Sequence, residues 1–315
     1  MSAHAIGSLK FGGMSLGLFL PVSGRAAGTE AIVEAAIAAE ASGFGAVWSG
    51  ERAVQPTQVG STYPYGEGAG YPLPFDSPFL DALTTLAFVA GRTSAITVGV
   101  SVSVLPLHHP LQLARVASTL GLLSGGRFVL GVGVGWMQEE FAALGVSFKD
   151  RGRMSDQHLE VVRRLWKERT VAHDGQYYPF TDVGFEPKYP VPIWVGGEGK
   201  AARRRAGYFG DSWFPQFVRI TPKRLAELHQ EVRVFADQAG RDPDAVRLAA
   251  CAPVEITAGD ISGSDDQLRG SAGQVRAAIE SFAEVGVDHL ALRFTAPTWS
   301  DRKRQFEQLA RVLSR

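Results

Sequence analysis

Residues 126–141 read GRFVLGVGVGWMQEEF, an apolar stretch with glycine at every second position. Alternate residues of a strand point to opposite faces, so Leu130, Val132 and Val134 share one face and three glycines share the other. We expect the apolar face to pack against helices and the face of Gly131, Gly133 and Gly135 to leave an empty space.

The preceding strand-like stretch, residues 95–106, repeats this design. Four valines at positions 98, 100, 102 and 104 alternate with Gly99, Ser101 and Ser103. Two neighbouring strands with small residues on one face predict a slot wide enough for a flat ring system. The pattern alone leaves two alternatives open, since bulky residues from elsewhere would also fill the space and glycines also mark bulges.

Outward from these strands, strand-like and helix-like segments alternate along the chain. Eight strands are predicted at residues 14–22, 44–50, 95–106, 126–136, 191–197, 211–215, 245–257 and 289–294. A helical segment follows each strand, and residues 170–190 read as an inserted hairpin or an extended loop. The first strand lacks the G-x-G-x-x-G turn of a Rossmann fold. The sequence therefore predicts an α/β fold, a single (β/α)8 TIM barrel with insertions, as one domain over residues 1–315.

Composition narrows the function classes. The 315 residues contain 32 Lys and Arg against 32 Asp and Glu, a balance that predicts neither nucleic acid nor a membrane as partner. No apolar run approaches the ~20 residues of a membrane span. The lone Cys251 is interpreted as a buried thiol. We expect a cytoplasmic protein acting on a small-molecule substrate; a homodimer is compatible with the sequence, which does not establish the oligomeric state.

A second glycine cluster follows the fifth predicted strand. Gly196, Gly197 and Gly199 precede a helix, where backbone N–H groups bind anions and glycine permits close approach. Glu198 is an unfavourable neighbour for a phosphate, so the backbone and Lys200 would have to bind it. Such a turn is weak evidence by itself.

The order of these motifs resembles the luciferase-like monooxygenase family, above all its branch that uses the deazaflavin coenzyme F420. The resemblance rests on ITVGVSVSVLPLHHPLQLARVASTLGLLSGGRFVLGVGVGWMQEEFAALGV, residues 96–146, and extends over most of residues 14–215. It implies a TIM barrel with a flavin or deazaflavin at its C-terminal face.

The resemblance also implies where that cofactor lies. The ring would rest on a bulge in the third strand at Ser101 and Val102, formed by a non-prolyl cis peptide, and the phosphate at residues 196–199. The remaining implied contacts are Ser49, Gly133, Val134, Gly135 and Trp136.

Two positions depart from the family pattern. F420 relatives commonly carry Asp-His or Glu-His after the second strand, where this chain has Glu51 and Arg52, and a Ser or Thr where it has Gly199. We interpret Glu51 as orienting substrate or assisting proton transfer, and Arg52 as stabilising an anionic or carbonyl-bearing substrate. His108 is a further catalytic candidate, and the loop of residues 55–71 is a candidate lid.

Other residues receive structural interpretations. Neither H-E-x-x-H nor paired C-x-x-C occurs, so no metal site is predicted. Glu139 and Glu140 are adjacent on a helix and should not act as a carboxylate pair. His158 and residues 203–205 are expected to be solvated, and Trp48, Trp136 and Trp213 either line a pocket or pack at the barrel rim.

The sequence thus predicts an F420-dependent oxidoreductase that moves a hydride between the deazaflavin and an organic substrate. Two alternatives remain open. One is an FMN-dependent monooxygenase of the same family, and the other is a flavin-binding barrel without turnover.

Overall fold

A computed structural model describes residues 10–65, 71–216, 220–262 and 268–314 of the chain. Eight parallel strands form a closed barrel, in which each strand pairs with the next and the last pairs with the first. In order around the barrel they are β2 (Met14–Phe19), β3 (Ala46–Ser49), β4 (Thr97–Val104), β5 (Phe128–Gly133), β8 (Ile193–Val195), β9 (Ser212–Trp213), β10 (Arg247–Ile256) and β12 (His289–Phe294). The predicted TIM barrel is confirmed.

Helices connect the strands and cover the outside of the barrel. They are α1 (Thr29–Ala41), α2 (Ala82–Ala90), α3 (Pro110–Leu123), α4 (Gln138–Ala143), α5 (Arg151–Lys167), α6 (Lys200–Phe209), α7 (Pro222–Gln238), α8 (Ala272–Glu284) and α9 (Trp299–Leu313). None of them, within the described part of the chain, combines the length and apolar composition that a membrane crossing requires.

Four short strands lie outside the barrel. The predicted hairpin is present as β6 (Thr170–His173) paired antiparallel with β7 (Phe180–Gly184). Two elements that the sequence analysis did not identify are β1 (Lys10–Phe11), which pairs antiparallel with β2, and β11 (Arg269–Gly270), which pairs with β10. Gly12 and Gly13 make the β1–β2 turn with positive φ angles of 58° and 94°, a conformation that glycine adopts without steric cost.

Two separate cores follow from the strand alternation. The large core lies between the strands and the helices, and it takes the outward-facing Leu130 and Val132 as predicted. A small core fills the barrel lumen, where Trp48 packs against Trp194 and Phe214 at ring-centroid distances of 5.0 and 4.7 Å. Trp48 therefore lies inside the barrel rather than at its rim.

Trp48 also explains two glycines on neighbouring strands. A Cβ at Gly17 of β2 would lie 2.6 Å from Trp48 Nε1, and a Cβ at Gly99 of β4 would overlap the Trp48 ring. These positions must therefore lack a side chain for the indole to fit. Its Nε1 donates to His289 Nε2 at 2.9 Å, so the other ring nitrogen carries the proton and donates to Ser15 Oγ at 2.7 Å. Burial lowers the pKa of His289 to about 3, in keeping with this neutral state.

Candidate active site

The C-terminal ends of the barrel strands lie above the Trp48 layer, and this end is here called the mouth of the barrel. This is the face at which (β/α)8 barrels carry their active sites. Phe19 of β2 packs against the lumenal core, and the half-buried Ser101 and Val102 lie at the end of β4.

Strand β4 contains the predicted bulge. Its pairing with β5 shifts register between Val100 and Ser103, and the peptide bond between Ser101 and Val102 is cis. Both features confirm the expectation from the sequence. The bulge breaks the alternation of β4, so Val102 no longer points outward with Val98 and Val100 as a regular strand would require.

The glycine face of β5 is occupied rather than empty. A Cβ at Gly131 would overlap the Val100 carbonyl oxygen, and a Cβ at Gly133 would lie 2.6 Å from Val102 Cγ2. The expectation that the glycine face of β5 is empty is therefore wrong. The β5 glycines make room for the bulge, and the bulge in turn presents Ser101 and Val102 at the mouth.

The segment after β5 leaves the strand geometry. Val134 is half-buried rather than part of the outer core, and Gly135 has a φ of 77°. A Cβ at Gly135 would lie 2.7 Å from both Phe141 and Val104, so the turn requires glycine there. This turn directs Trp136 toward the loop that follows β3.

Glu51 and His108 form a hydrogen-bonded ion pair at the mouth. Glu51, only 7% exposed, contacts His108 Nε2 at 2.7 Å and accepts from the Val104 backbone N–H at 2.6 Å. Burial lowers the pKa of His108, but the hydrogen bond and charge of Glu51 outweigh it and raise that pKa above its ordinary value of 6.5. The structure thus brings together two residues that lie 57 positions apart and that the sequence proposed separately.

Arg52 pairs with Glu140 rather than with its neighbour Glu51. Its Nη1 lies 2.8 Å from Glu140 Oε2, and the same carboxylate accepts from the Ala53 and Val54 backbone N–H groups. Glu140 is 2% exposed, so this is a buried charge pair. The positive charge of Arg52 is compensated within the protein.

An aromatic cluster covers Arg52. The guanidinium lies 4.9 Å from the Tyr71 ring centroid and 5.3 Å from that of Trp136, and Tyr63 packs against both rings. Tyr65 is half-buried, and this burial together with the charge of Glu198 raises its pKa to about 12. The described parts of the loop of residues 55–71 therefore fold over the mouth; residues 66–70 of this candidate lid lie outside the described residues.

The glycine turn after β8 leads directly into helix α6. Gly197 has a φ of 99°, and Gly199 is the residue before the helix, where no side chain caps the first turn and a Cβ would meet nothing within 4 Å. Trp213 Nε1 donates to the Gly197 carbonyl at 2.9 Å and supports the turn. A Cβ at Gly196 would lie 3.0 Å from Val102 Cγ1, so the turn passes close to the bulge.

Two charged side chains belong to this turn and to the start of α6. Burial raises the pKa of Glu198, and Lys200 is the first, exposed residue of α6. Ser49 is fully buried beside the mouth, and its hydroxyl donates to the Gly50 carbonyl at 3.1 Å.

Several expectations about other polar residues are corrected. His158 is fully buried, and burial together with the charges of His108 and His109 lowers its pKa to about 3. Arg205 is also buried and pairs with Asp156 at 2.7 Å, while Arg203 pairs with Glu231, so this helix face is not simply solvated. Cys251 is a buried lumenal thiol, as expected, and burial raises its pKa to about 12.

Two charged residues at the mouth were not singled out from the sequence. The sequence analysis considered Glu140 only as half of a carboxylate pair with Glu139. In the structure each of these two acids contacts its own part of the loop after β3, and Glu139 accepts hydrogen bonds from Gly60 and Ser61. Arg293 on β12 was overlooked. The alternation of HLALRF carries the signal, because His289, Ala291 and Arg293 share the lumenal face. Among the described residues no group of His, Cys, Asp or Glu could hold a metal ion.

The bulged strand and the uncapped helix turn meet at the C-terminal end of a (β/α)8 barrel, where enzymes of this fold carry their active sites. Comparison supplies the family. The chain belongs to the luciferase-like monooxygenase family, whose model matches residues 10–260.

Individual relatives agree with this assignment. The F420-dependent hydroxymycolic acid dehydrogenase of Mycobacterium tuberculosis is 30% identical over 221 residues, which cover 68% of this chain and 56% of that protein. Among solved structures, an F420-dependent secondary alcohol dehydrogenase in complex with an F420-acetone adduct has a TM-score of 0.74 at 18% identity, covering 94% and 98% of the two chains. A riboflavin lyase with modified FMN and riboflavin has a TM-score of 0.73 at 18% identity, covering 96% and 91%. The protein is thus an oxidoreductase or monooxygenase with a flavin-like or deazaflavin cofactor.

Proposed function

We propose that the protein is an F420-dependent oxidoreductase that moves a hydride between the deazaflavin and an organic substrate. The observation that carries this proposal is the bulge at Ser101 and Val102, which presents a half-buried surface at the mouth beside the Glu51–His108 pair. The choice of F420 over FMN draws on the relative of 30% identity, which is named as F420-dependent.

The residues present fit such a cofactor. Ser101 and Val102 would back the ring on one face, with Gly133, Val134, Gly135 and Trp136 around it, whereas the predicted contact Ser49 is fully buried and offers no surface to a ligand. The uncapped first turn of α6 and the turn of Gly196, Gly197, Glu198 and Gly199 offer backbone N–H groups to a phosphate, with Lys200 as the nearby cation. When bound, the deazaflavin supplies the hydride chemistry.

Glu51 and His108 are the groups suited to move a proton. Glu51 holds His108 through Nε2, and the raised pKa of His108 favours its protonated form, which can donate to a substrate oxygen and be recharged from solvent. This pair takes the acid–base role that the family's usual histidine, replaced here by Arg52, would otherwise have. Arg52 is held by Glu140, and its role is to position the loop after β3.

Calorimetric titration with F420 and with FMN tests the choice of cofactor. We expect F420 to bind more tightly. FMN is the second candidate because a neighbour of the same fold was solved with modified FMN. Equal or reversed affinities would reassign the protein to the FMN-dependent monooxygenases, and mass spectrometry of cofactor that co-purifies provides an independent check.

A further inference from the structure

Arg293 projects from β12 into the mouth of the barrel. Two residues on the same face of this strand are lumenal: His289 accepts a hydrogen bond from Trp48, and Ala291 belongs to the lumenal core. Arg293 follows them at the C-terminal end, where its side chain is partly exposed. Ala291 pairs with the lumenal Cys251 of β10 and Arg293 pairs with Pro253, two residues nearer the C-terminal end, so strand alternation directs the Arg293 side chain to the mouth.

This positive charge has no counter-ion among the residues that the structure describes. No carboxylate there lies within 4.0 Å of Arg293, and its guanidinium donates no hydrogen bond to any of them, in contrast to Arg52. A second arginine lies beside it: Arg302 of α9 donates from Nε to the Ala296 carbonyl at 2.6 Å and also pairs with no described carboxylate. Burial, followed by the charge of Arg293, lowers the pKa of Arg302.

The two guanidinium groups are partly buried and repel each other, so an anion bound between them would be stabilised. Removing charge from water without a partner is unfavourable, and an oxyanion bound between the two groups would relieve both the desolvation and the repulsion. The loops after the last strands of (β/α)8 barrels are a frequent location for phosphate groups. Arginine is suited to this because its planar fork binds carboxylate and phosphate through two parallel hydrogen bonds.

This place differs from the glycine turn that the proposed function assigns to the cofactor. The turn follows β8, and β12 lies three strands further around the barrel, past β9 and β10. An anion at Arg293 is therefore not the phosphate of a cofactor bound at residues 196–199. It belongs to the other ligand of the mouth.

We propose that Arg293, supported by Arg302, binds an anionic group of the substrate, a carboxylate or a phosphate ester. This rests on the proposed function, since it assumes that the mouth holds a cofactor and a substrate together. The substrate is then an organic acid or a phosphorylated compound whose charged end binds at β12.

Phenyl phosphate and benzoate are suitable probes, because each places one oxyanion on an otherwise apolar ring. Calorimetry would measure both against the wild type, Arg293→Gln, Arg293→Lys and Arg304→Gln. We expect Arg293→Gln to lower the affinity for the preferred probe about 10-fold or more, because a charge-assisted hydrogen-bond pair is lost. Arg293→Lys keeps the positive charge, so we expect it to lose less probe affinity than Arg293→Gln. Arg304 lies on the same helix as Arg302 but is exposed and paired with Asp301, so its variant is the matched control and should bind normally.

The same titrations separate the possible outcomes. Whichever of the two probes binds more tightly distinguishes a phosphate ester from a carboxylate. Absence of binding of both probes to wild type, or equal binding to Arg293→Gln with its circular dichroism unchanged, would overturn the proposal. A parallel loss of F420 affinity in Arg293→Gln would also overturn it, since the anion would then belong to the cofactor. If neither F420 nor FMN binds the wild type, the proposed function is wrong. The comparison of probe affinities between wild type and Arg293→Gln still shows whether Arg293 binds an anion.

Discussion

At the scale of single residues, the mouth of the barrel is organised by pairs of charges. Glu51 holds His108 and Glu140 holds Arg52, so adjacent residues of the loop after β3 serve different partners. A direct Glu51–Arg52 pair, which neighbouring opposite charges suggest, is absent from this arrangement. Under the proposed function, this division would leave the Glu51–His108 pair for proton transfer and give Arg52 a positioning role.

Glu51→Gln tests the catalytic half of this division. Glutamine still accepts from the Val104 N–H but cannot carry the charge that keeps His108 protonated, so we expect slower turnover, by roughly 10²- to 10⁴-fold for a lost general acid. The affinity for the cofactor should stay nearly unchanged. The measurement is the rate of change of F420 absorbance with a substrate that the wild type converts. A variant that loses stability but keeps its rate per folded molecule would show a structural role only.

The same pair predicts a pH dependence of stability. The folded-state pKa of His108 lies above its ordinary value of 6.5, so the pair stabilises the fold fully below about pH 6.5. This contribution is lost as the pH rises from there through the folded-state pKa. Urea unfolding of wild type and His108→Gln at several pH values should show their difference in free energy shrinking with rising pH. A difference that is constant, or that grows with pH, would contradict the assignment.

Gly133→Val tests the contact between β5 and the bulge. The new side chain would meet Val102 Cγ2, so we expect a destabilisation of about 1–3 kcal/mol from overpacking and loss of cofactor binding as Val102 moves. The matched control is Gly184→Val in β7, an exposed strand glycine whose Cβ would meet nothing within 4 Å, with an expected change within about 0.5 kcal/mol. Thermal unfolding and F420 titration measure the two effects. Intact binding in Gly133→Val would show that the glycine does not serve the cofactor site.

At the scale of elements, the short helix α4 anchors the loop that follows β3. Its two acids contact successive parts of that loop, Glu140 at residues 52–54 and Glu139 at residues 60–61. The aromatic cluster of Tyr63, Tyr71 and Trp136 lies over the same segment. The candidate lid is thus attached to the segment that also contributes Trp136 to the mouth.

Glu140→Gln and Glu139→Gln form a matched pair of variants for this anchor. Loss of the buried Glu140 charge leaves Arg52 uncompensated, and we expect a cost of about 3 kcal/mol. The less buried Glu139 should cost below about 1 kcal/mol. Urea unfolding gives both values, and limited proteolysis reports whether the loop is cut faster in Glu140→Gln. Equal costs for the two variants would mean that the Arg52 pair is not the anchor.

The elements also show what the sequence could and could not predict. Strand alternation and helix periodicity act locally, so the sequence pattern placed all eight barrel strands, whereas the bulge at Ser101 and Val102 was expected from the family resemblance. The occupant of the glycine face was not predictable, since Trp48 fills the space at Gly17 and Gly99 from a different strand. The burial of His158 and Arg205 was missed for the same reason: partners from distant segments enclose them.

At the scale of the whole molecule, the two ends of the barrel have different tasks. The C-terminal end carries the charge pairs and the glycine turn, whereas Arg127 lies at the N-terminal end. At that end its guanidinium donates to the Ala90, Thr93, Ile96 and Ser124 carbonyls and to the Thr93 hydroxyl, which joins the ends of α2 and α3 to the start of β4. This side of a barrel serves stability rather than chemistry.

Arg127→Lys tests this separation of tasks. A lysine cannot reproduce the five hydrogen bonds of the fork, so we expect lower thermal stability, by about 1–3 kcal/mol for buried carbonyls left unsatisfied. The F420 affinity of the folded variant should equal that of wild type. Calorimetric unfolding and titration provide the two numbers. Weaker F420 binding by a variant that is completely folded during the titration would show that the two ends of the barrel are coupled.

The neighbouring indoles in the lumen give the barrel an optical property. Trp48 and Trp194, with centroids 5.0 Å apart, lie directly beneath the mouth, in an apolar enclosure away from water. Indole emission overlaps the near-ultraviolet absorption of flavins and deazaflavins, and Förster transfer between such partners is efficient over nanometres. A ring resting on Ser101 and Val102 would therefore quench the protein's own fluorescence as it binds, so that occupancy of the mouth can be followed without a label.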